Sequence, residues 1–153
     1  YTLWVQCGAV MMSSTMKARV KWVEKRTFLG ESGSGHSLVM DGAPDAGGRD
    51  LGIRPMETLL LGMGGCTAFD VIHILEKARE TVIDCELEIE ADRAEEDPKV
   101  FTQINIRYIV TGKNLSRDKV QRAVDLSAEK YCSASIMLGE VANISHEVVL
   151  RDL

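Results

Sequence analysis

The chain has 153 residues, a net charge of −5 and 45% hydrophobic residues, a composition typical of one globular domain with its own core. The negative charge argues against a nucleic-acid partner, because phosphate binding needs a basic surface. Aromatic residues make up only 5% of the chain, so stacking platforms for bases or sugars are not expected. The longest strongly apolar run without a charge, residues 58–69, is too short to span a bilayer, so no membrane partner is expected.

The first fifteen residues carry no charge and lead to Met16, which is a plausible start of the folded chain. They lack the basic segment and the small-residue cleavage site of a signal peptide. We interpret residues 1–15 as an N-terminal extension or expression remnant, with a structured leading strand as the alternative, and residues 16–153 as a single domain. Without an export signal we expect a cytoplasmic, reducing location, in which the four cysteines are thiols.

Alternating apolar and charged residues predict a first strand, whose half-buried face carries Ala18, Val20 and Trp22. A glycine-rich segment at residues 30–35 predicts a turn, and the short apolar run at 37–40 predicts the returning strand. The chain therefore opens with a small antiparallel element.

Residues 41–52 combine glycine, aspartate and proline, which predicts a long flexible loop. Pro55 suits the first turn of a helix, where its missing N–H costs nothing, and the apolar run that follows predicts a long helix over 56–79. This helix is apolar nearly all round, so it should lie inside a protein. Three glycines in it each cost roughly 1 kcal/mol against alanine, which implies a close backbone approach. They are Gly62, Gly64 and Gly65.

Two strongly alternating segments, 82–92 and 100–111, are separated by a polar turn and predict a β-hairpin. The inward residues of the first strand are expected to be Ile83, Cys85, Leu87 and Ile89. Those of the second strand are expected to be Ile104, Ile106, Tyr108 and Val110.

Ser116 can cap a second helix that continues into residues 132–138. The inner face of this helix is expected to hold Val120, Val124, Ser127 and Tyr131. A last strand follows, with one face formed by Ile144, His146, Val148 and Leu150. Strands and helices are mixed without regular βαβ alternation, so the predicted fold class is α+β with an antiparallel sheet and two main helices.

Neither a nucleotide site nor a metal site is expected. The segment 30–37 resembles a phosphate-binding loop, but His36 stands where the lysine should be and no helix follows. The four cysteines and three histidines show no C-x₂-C or H-x₃-H spacing, so a zinc site would need ligands from distant segments. We therefore predict no metal and no cofactor.

The cysteines differ in their surroundings. Cys85 lies on the inward face of a predicted strand, where a cysteine is usually a small hydrophobic residue. Cys66 follows two glycines and Cys132 precedes a run of small residues, so both have room for a substrate or a second sulfur. From the residues alone, buried inert thiols are an open alternative for both.

A reactive Cys66 would need a positive group nearby, because a free thiol is only slightly ionised at neutral pH. Asp70 lies one helical turn further on, and its negative charge opposes a thiolate. His73 is seven residues away, roughly 10 Å along a helix, which is too far for a direct hydrogen bond. An arginine held by a carboxylate is the simplest source of positive charge. The candidates are Arg26, Arg49, Arg54 and Glu57.

Two segments of the chain resemble the cysteine motifs of the OsmC/Ohr family, which comprises osmotically inducible and organic hydroperoxide resistance proteins. The first motif is matched by RPMETLL (54–60) and GGCTA (64–68), and the second by EKYCS (129–133). The YhfA-like branch of the family is especially similar to KARVKWVEKRTFLG (17–30) and VDLSAEKYCS (124–133).

The resemblance extends over nearly the whole chain, and it implies an α+β fold in which two chains intertwine as a homodimer. Family members reduce organic hydroperoxides. The resemblance implies that Cys66 is the attacking thiolate, that Cys132 resolves its sulfenic acid as a disulfide, and that a lipoyl-type dithiol restores both thiols. Glu57 matches the glutamate that orients an activating arginine, for which Arg26 and Arg54 are the candidates.

The sequence thus predicts a homodimeric, cysteine-based organic hydroperoxide reductase. Two other functions stay open. One is a binding protein whose apolar pocket around Gly64 and Gly65 holds a lipid or another small ligand. The other is a dithiol–disulfide oxidoreductase.

Overall fold

The computed structural model describes residues 15–153, which divide into two compact units with the boundary after Pro55. Residues 1–14 lie outside the described part of the chain, so the interpretation of residues 1–15 as an extension stays a prediction. The assignment of residues 16–153 to a single domain is likewise still a prediction.

The first unit contains a three-stranded antiparallel sheet. Its strands, in spatial order, are β1 (Ala18–Glu24), β2 (Thr27–Ser32) and β3 (Ser37–Met40). Strand β3 confirms the predicted returning strand. The turn predicted at 30–35 is confined to residues 33–35, because residues 30–32 belong to β2, and it needs a glycine because Gly35 has a φ of 89°.

This sheet differs from the sequence prediction in two respects. An additional strand, β2, precedes the glycine-rich turn, because the chain reverses at Lys25, which has a φ of 51°. The Lys25 carbonyl accepts a hydrogen bond from Trp22 Nε1 at 3.0 Å, and no glycine or proline marks this turn in the sequence. Strand β1 is exposed in the single chain rather than half-buried, with Val20 62% and Trp22 63% exposed.

The loop after β3 is organised around one buried carboxylate, although the sequence predicted a flexible loop. Asp41 accepts hydrogen bonds from four donors in its own unit. They are the backbone N–H groups of Gly42 at 2.8 Å, Arg49 at 3.2 Å and Leu51 at 3.2 Å, and the hydroxyl of Thr27 at 3.2 Å. Burial raises the pKa of Asp41, but the four hydrogen-bond donors together lower it by more than burial raises it. The pKa of Asp41 therefore lies below its ordinary value.

We expect Asp41→Asn to lower the melting temperature at pH 7, because an amide replaces one acceptor oxygen by a donor nitrogen. Because the pKa of Asp41 is lower in the folded than in the unfolded protein, its ionised carboxylate stabilises the fold above the unfolded-state pKa of about 4. This stability is lost as the pH falls through the folded-state pKa of Asp41. The deficit of Asp41→Asn should therefore shrink below about pH 4 in thermal unfolding curves. Asp45→Asn, an exposed position in the same loop, is the control. A deficit that is equal at every pH would contradict this role of Asp41.

The second unit combines three helices with a three-stranded sheet. Its elements are α1 (Pro55–Lys77), which begins at the unit boundary, β4 (Thr81–Arg93), β5 (Phe101–Lys113), α2 (Arg117–Leu126), α3 (Ser133–Gly139) and β6 (Asn143–Asp152). The predicted cap of α2 is confirmed, since Ser116 Oγ accepts a hydrogen bond from the Lys119 N–H at 3.4 Å.

The predicted hairpin is confirmed, because β4 and β5 pair antiparallel with Ile89 opposite Ile106. Strand β6 pairs parallel with β5, with His146 opposite Ile106, so the sheet is mixed rather than purely antiparallel. The reason is the connection between β5 and β6. Helices α2 and α3 carry the chain back along the sheet, and a parallel pair needs a crossover of this kind. The α+β fold class is unchanged.

The core of the second unit forms where α1 packs on β5. The predicted inner face of β5 is buried at Ile104, Ile106, Tyr108 and Val110. Met63, Val71 and Leu75 of α1 belong to the same cluster and are fully buried. Strand β5 therefore reaches the core through the face that its alternation predicts.

Strand β4 contributes a half-buried face to this core. Cys85, Leu87 and Ile89 pack against the core as predicted. Ile83 is 51% exposed, contrary to the prediction, because the register shifts between Val82 and Asp84. An irregularity of one residue turns the following side chains to the opposite face.

Helix α1 is not buried all round in the single chain, contrary to the prediction. Phe69 is 74% and Leu61 65% exposed. A Cβ atom at Gly64 would lie 2.8 Å from Ile89 Cδ1, whereas one at Gly62 or Gly65 would meet nothing within 4 Å in the described part of the chain. By length and apolar composition α1 could cross a bilayer, but a single such helix is a weak indication, because core helices of soluble proteins pass the same test.

Candidate functional site

Two cysteines that are far apart in sequence meet in the second unit. Cys66 lies on α1 and is half-buried, whereas Cys132 lies at the start of α3 and is fully buried. Their sulfur atoms and a carboxylate oxygen of Asp70 all lie within 4.8 Å of one another. Because Asp70 follows Cys66 by one helical turn, α1 presents both side chains on the same face. We refer to these three residues as the sulfur–carboxylate cluster.

A wide helical turn sets the position of Cys132. Residues Ser127–Tyr131 form a π-helical turn between α2 and α3, in which the Cys132 N–H donates to the Ser127 carbonyl at 2.8 Å. This turn contains one residue more than an α-helical turn, so the inner face moves by one position. Tyr131 is therefore 50% exposed rather than inward, and Cys132 takes the buried position. The earlier residues of the predicted face are buried as expected, namely Val120, Val124 and Ser127.

The sulfur of Cys132 lies in a buried but partly polar environment. It accepts hydrogen bonds from the backbone N–H of Ser135 at 3.3 Å and from the Ser135 hydroxyl at 3.1 Å. Burial raises the pKa of Cys132, the Ser135 donors lower it and the neighbouring Cys66 raises it, with a net upward shift. Cys85 also has a raised pKa, because of burial and the charge of Asp84, as suits a structural thiol. At neutral pH both Cys132 and Cys85 are therefore protonated.

A buried chain of hydrogen bonds ends at the cluster. Ser127 Oγ donates to Asp70 Oδ2 at 3.1 Å, and Thr67 Oγ1 lies 2.8 Å from both Ser127 Oγ and the Tyr108 hydroxyl. A hydroxyl has one proton, so with Ser127 donating to Asp70, Thr67 donates to Ser127 and Tyr108 donates to Thr67. Burial raises the pKa of Tyr108 to about 12, which keeps this hydroxyl a donor.

We expect Thr67→Val to destabilise the protein by about 1–3 kcal/mol, because the change keeps the shape but leaves two buried hydroxyls without their shared partner. The free energy of urea unfolding measures the effect. Thr67→Ser retains the hydroxyl and is the control, with a smaller expected loss. Wild-type stability of Thr67→Val would contradict the hydrogen-bond chain.

The remaining predicted site residues lie elsewhere on the chain. Glu57 is exposed in the first turn of α1, about 13 Å along the helix axis before Cys66. Arg26 and Arg54 belong to the first unit, where Arg26 is exposed and Arg54 pairs with Asp50 at 2.7 Å. Activation of Cys66 by an arginine that Glu57 orients stays a prediction.

Sequence reasoning missed most of the groups around the two sulfurs. It treated Asp70 only as a charge that opposes a thiolate, and Ser127 only as part of a core face. The spacing of four residues between Cys66 and Asp70 is a sequence signal for a shared helix face. No comparable signal links Thr67 to Tyr108, because their contact depends on how α1 packs on β5.

Among residues 15–153, one group of side chains brings three possible metal donors together, and it is the same sulfur–carboxylate cluster. Two thiols and one carboxylate leave a tetrahedral zinc ion one ligand short of a closed structural site. We assign no metal to these residues, and the expected absence of a metal site stays a prediction.

A pocket of about 400 Å³ opens beside the cluster. It is lined by Asp70, His73, Ile74, Lys77, Leu126 and Tyr131. His73 itself is exposed and stacks on Phe69, with ring centroids 6.4 Å apart. A small organic molecule of a few carbon atoms fits a space of this size.

The chain is similar to proteins of one family. The model of the OsmC-like protein family matches residues 47–147. Protein YhfA of Escherichia coli strain K12 is 54% identical over 131 residues, which is 86% of this chain and 95% of that protein.

Solved structures show the same fold. A hypothetical protein from Aquifex aeolicus VF5 superposes with a TM-score of 0.81 at 28% identity, over 92% of this chain and 99% of that one. The organic hydroperoxide resistance protein OhrB of Bacillus subtilis has a TM-score of 0.61 at 22% identity, over 88% of this chain and 98% of that one. At this identity the likeness to OhrB shows the fold alone.

Proposed function

Because the chain belongs to the family of OsmC-like proteins, we propose that it is a cysteine-based peroxidase that reduces organic hydroperoxides. The observation that carries this proposal is the meeting of the Cys66 and Cys132 sulfurs within 4.8 Å. Two thiols at this distance can pass through a sulfenic acid to a disulfide with a small movement. The names of structures with the same fold, such as OhrB of Bacillus subtilis, support the substrate class.

In the proposed cycle, the thiolate of Cys66 attacks the distal oxygen of the hydroperoxide. The O–O bond breaks, the departing alkoxide takes a proton from water and leaves as the alcohol, and Cys66 becomes a sulfenic acid. The sulfur of Cys132 then attacks the Cys66 sulfur, the S–O bond breaks, and a disulfide and water form. A lipoyl-type dithiol reduces the disulfide through two exchange steps and is itself oxidised to a disulfide.

Burial distinguishes the proposed roles of the two cysteines. Cys66 is half-buried and therefore open to a small substrate, whereas Cys132 is completely buried. The raised pKa of Cys132 keeps it a thiol until the attacking cysteine has been oxidised. These differences support Cys66 as the attacking residue and Cys132 as the resolving residue.

The proposal includes a positive group that stabilises the Cys66 thiolate. The thiolate is the nucleophilic form of a cysteine, and a neighbouring cation favours that form. We place this role on Arg26 or Arg54 of the first unit, with Glu57 as the orienting carboxylate. The dithiol that completes the cycle fits a reducing, cytoplasmic location.

We expect Cys66→Ser to abolish the consumption of an organic hydroperoxide such as cumene hydroperoxide in the presence of dihydrolipoamide. Cys85→Ser is the matched control and should keep nearly the wild-type rate, because Cys85 packs on the core as a hydrophobic residue. Cys132→Ser should complete the first step once and then stop, with a sulfenic acid on Cys66 that dimedone traps. Wild-type turnover by Cys66→Ser would contradict the proposal.

We also propose that the protein is a homodimer and that a second copy covers the exposed face of α1. Helices α1 and α3 expose several large apolar side chains in the single chain. They are Leu61, Phe69, Ile136 and Met137. Exposed apolar side chains of this size are typical of an interface, because exposure to water is unfavourable by about 25 cal/mol per Å².

We expect Phe69→Glu to shift the protein from dimer to monomer, because a charge at a position buried by a second copy must be desolvated. Sedimentation velocity at micromolar concentration gives the oligomeric state. Leu153→Glu is the control, since Leu153 is 75% exposed, close to the 74% of Phe69, but lies at the chain end. Sedimentation of the wild-type protein as a monomer would contradict the proposed dimer.

A further inference from the structure

The sulfur–carboxylate cluster contains a charge that the first step of the proposed cycle does not use. A carboxylate oxygen of Asp70 lies within 4.8 Å of both sulfurs. The proposed attack of Cys66 on the hydroperoxide gives this carboxylate no task, so it is available for the later step that joins the two sulfurs.

The position of Asp70 is fixed by its hydrogen bond with Ser127. Ser127 Oγ donates to Asp70 Oδ2 at 3.1 Å, and Ser127 is itself held by the buried hydroxyls of Thr67 and Tyr108. All protons of this chain point towards the carboxylate when Asp70 is ionised. The chain therefore orients one oxygen of Asp70, which leaves the remaining lone pairs of the carboxylate for the sulfurs.

The resolving step of the cycle needs both a base and an acid. Cys132 has a raised pKa and is a thiol at neutral pH, so its proton must leave before or during its attack on Cys66. The hydroxyl of the sulfenic acid is a poor leaving group unless it is protonated as it departs. One residue that receives the first proton and returns it satisfies both needs.

We propose that Asp70 is the catalytic base and acid of disulfide formation between Cys66 and Cys132. The Asp70 carboxylate takes the proton of the Cys132 thiol as this sulfur attacks Cys66. The S–O bond of the sulfenic acid breaks, and the carboxylic acid returns the proton to the departing oxygen, which leaves as water. One S–S bond forms, one molecule of water is released, and Asp70 ends ionised as it began.

Ser127 acts through Asp70 and is a positioning residue. Its hydroxyl orients the carboxylate, and its carbonyl accepts the N–H of Cys132 at 2.8 Å. Ser127 thus fixes both the carboxylate of Asp70, which is the base, and the backbone of Cys132, from which Asp70 takes the proton. A distance of up to 4.8 Å between the carboxylate and the sulfur is spanned by one water molecule or by a small rotation of the side chain.

The inference rests on the proposed function, and two experiments separate their failures. In the first, reduced full-length protein carrying Cys7→Ser and Cys85→Ser reacts once with a stoichiometric amount of tert-butyl hydroperoxide. With Asp70→Asn added, the peroxide should be consumed at least as fast as in the protein that keeps Asp70. Disulfide formation should slow by about 10²-fold, and the sulfenic acid should accumulate for trapping by dimedone. Glu76→Gln removes an exposed carboxylate from the same helix and should change neither step.

The second experiment needs no peroxide. The same protein is treated with one equivalent of 5,5′-dithiobis(2-nitrobenzoate), which places a mixed disulfide on Cys66, and the attack of Cys132 then releases a second coloured thiolate. Asp70→Asn should slow this release, and the deficit should shrink as the pH rises through the raised pKa of Cys132, above which this thiol ionises without a base. Burial raises the pKa of Tyr108 to about 12, so measurements below that pH leave its hydroxyl protonated.

If the Asp70→Asn variant releases the second coloured thiolate as fast as the protein that keeps Asp70, the proposed role of Asp70 is overturned, whatever the result of the peroxide experiment. Slow release together with no reaction between the protein and the hydroperoxide supports the role of Asp70 in disulfide formation and overturns only the peroxidase proposal. Ser127→Ala should show a smaller slowing of the same step, with rescue by Ser127→Thr. Equal rates for Ser127→Ala and the unsubstituted protein would exclude the positioning role.

Discussion

The π-helical turn at Ser127–Tyr131 is the constraint on which the candidate site depends. Its extra residue rotates Cys132 into the interior, and its first residue contacts α1 through the hydrogen bond of Ser127 to Asp70. A regular α-helix over the same residues would bury Tyr131 and direct Cys132 elsewhere. The irregular turn is therefore what unites two cysteines that α1 and α3 carry separately.

The sulfur–carboxylate cluster places one carboxylate beside two sulfurs that have different proposed tasks. Asp70 lies within 4.8 Å of Cys66, whose proposed attack relies on a positive group from another element. The carboxylate also provides an acceptor for a proton beside the buried thiol of Cys132. Ser127 donates a hydrogen bond to that carboxylate, and the hydroxyls of Thr67 and Tyr108 hold Ser127 in place.

Helix α1 carries both Cys66 and Asp70 of the cluster and the apolar face of the proposed dimer. One stripe of it, with Met63, Val71 and Leu75, is buried in the core of the second unit. Other positions, including Phe69 next to Asp70, expose large apolar side chains in the single chain. A composition that is apolar all round therefore matches a helix with more partners than one chain provides, and a second copy at this face would also limit the access of water to the cluster.

Local patterns in the sequence determined the elements, because strand alternation, the proline at the start of α1 and the cap at Ser116 act over a few residues. They placed the inner face of β5 correctly, and two cysteine motifs pointed to the right family. The turn at Lys25, the parallel pairing of β6 and the displacement of Tyr131 by the π turn were decided by packing and backbone hydrogen bonds, which leave no periodic signal. The meeting of Cys66, Asp70 and Cys132 was also decided only by the tertiary structure, since distances between residues remote in sequence depend on how α1, α2 and α3 pack together.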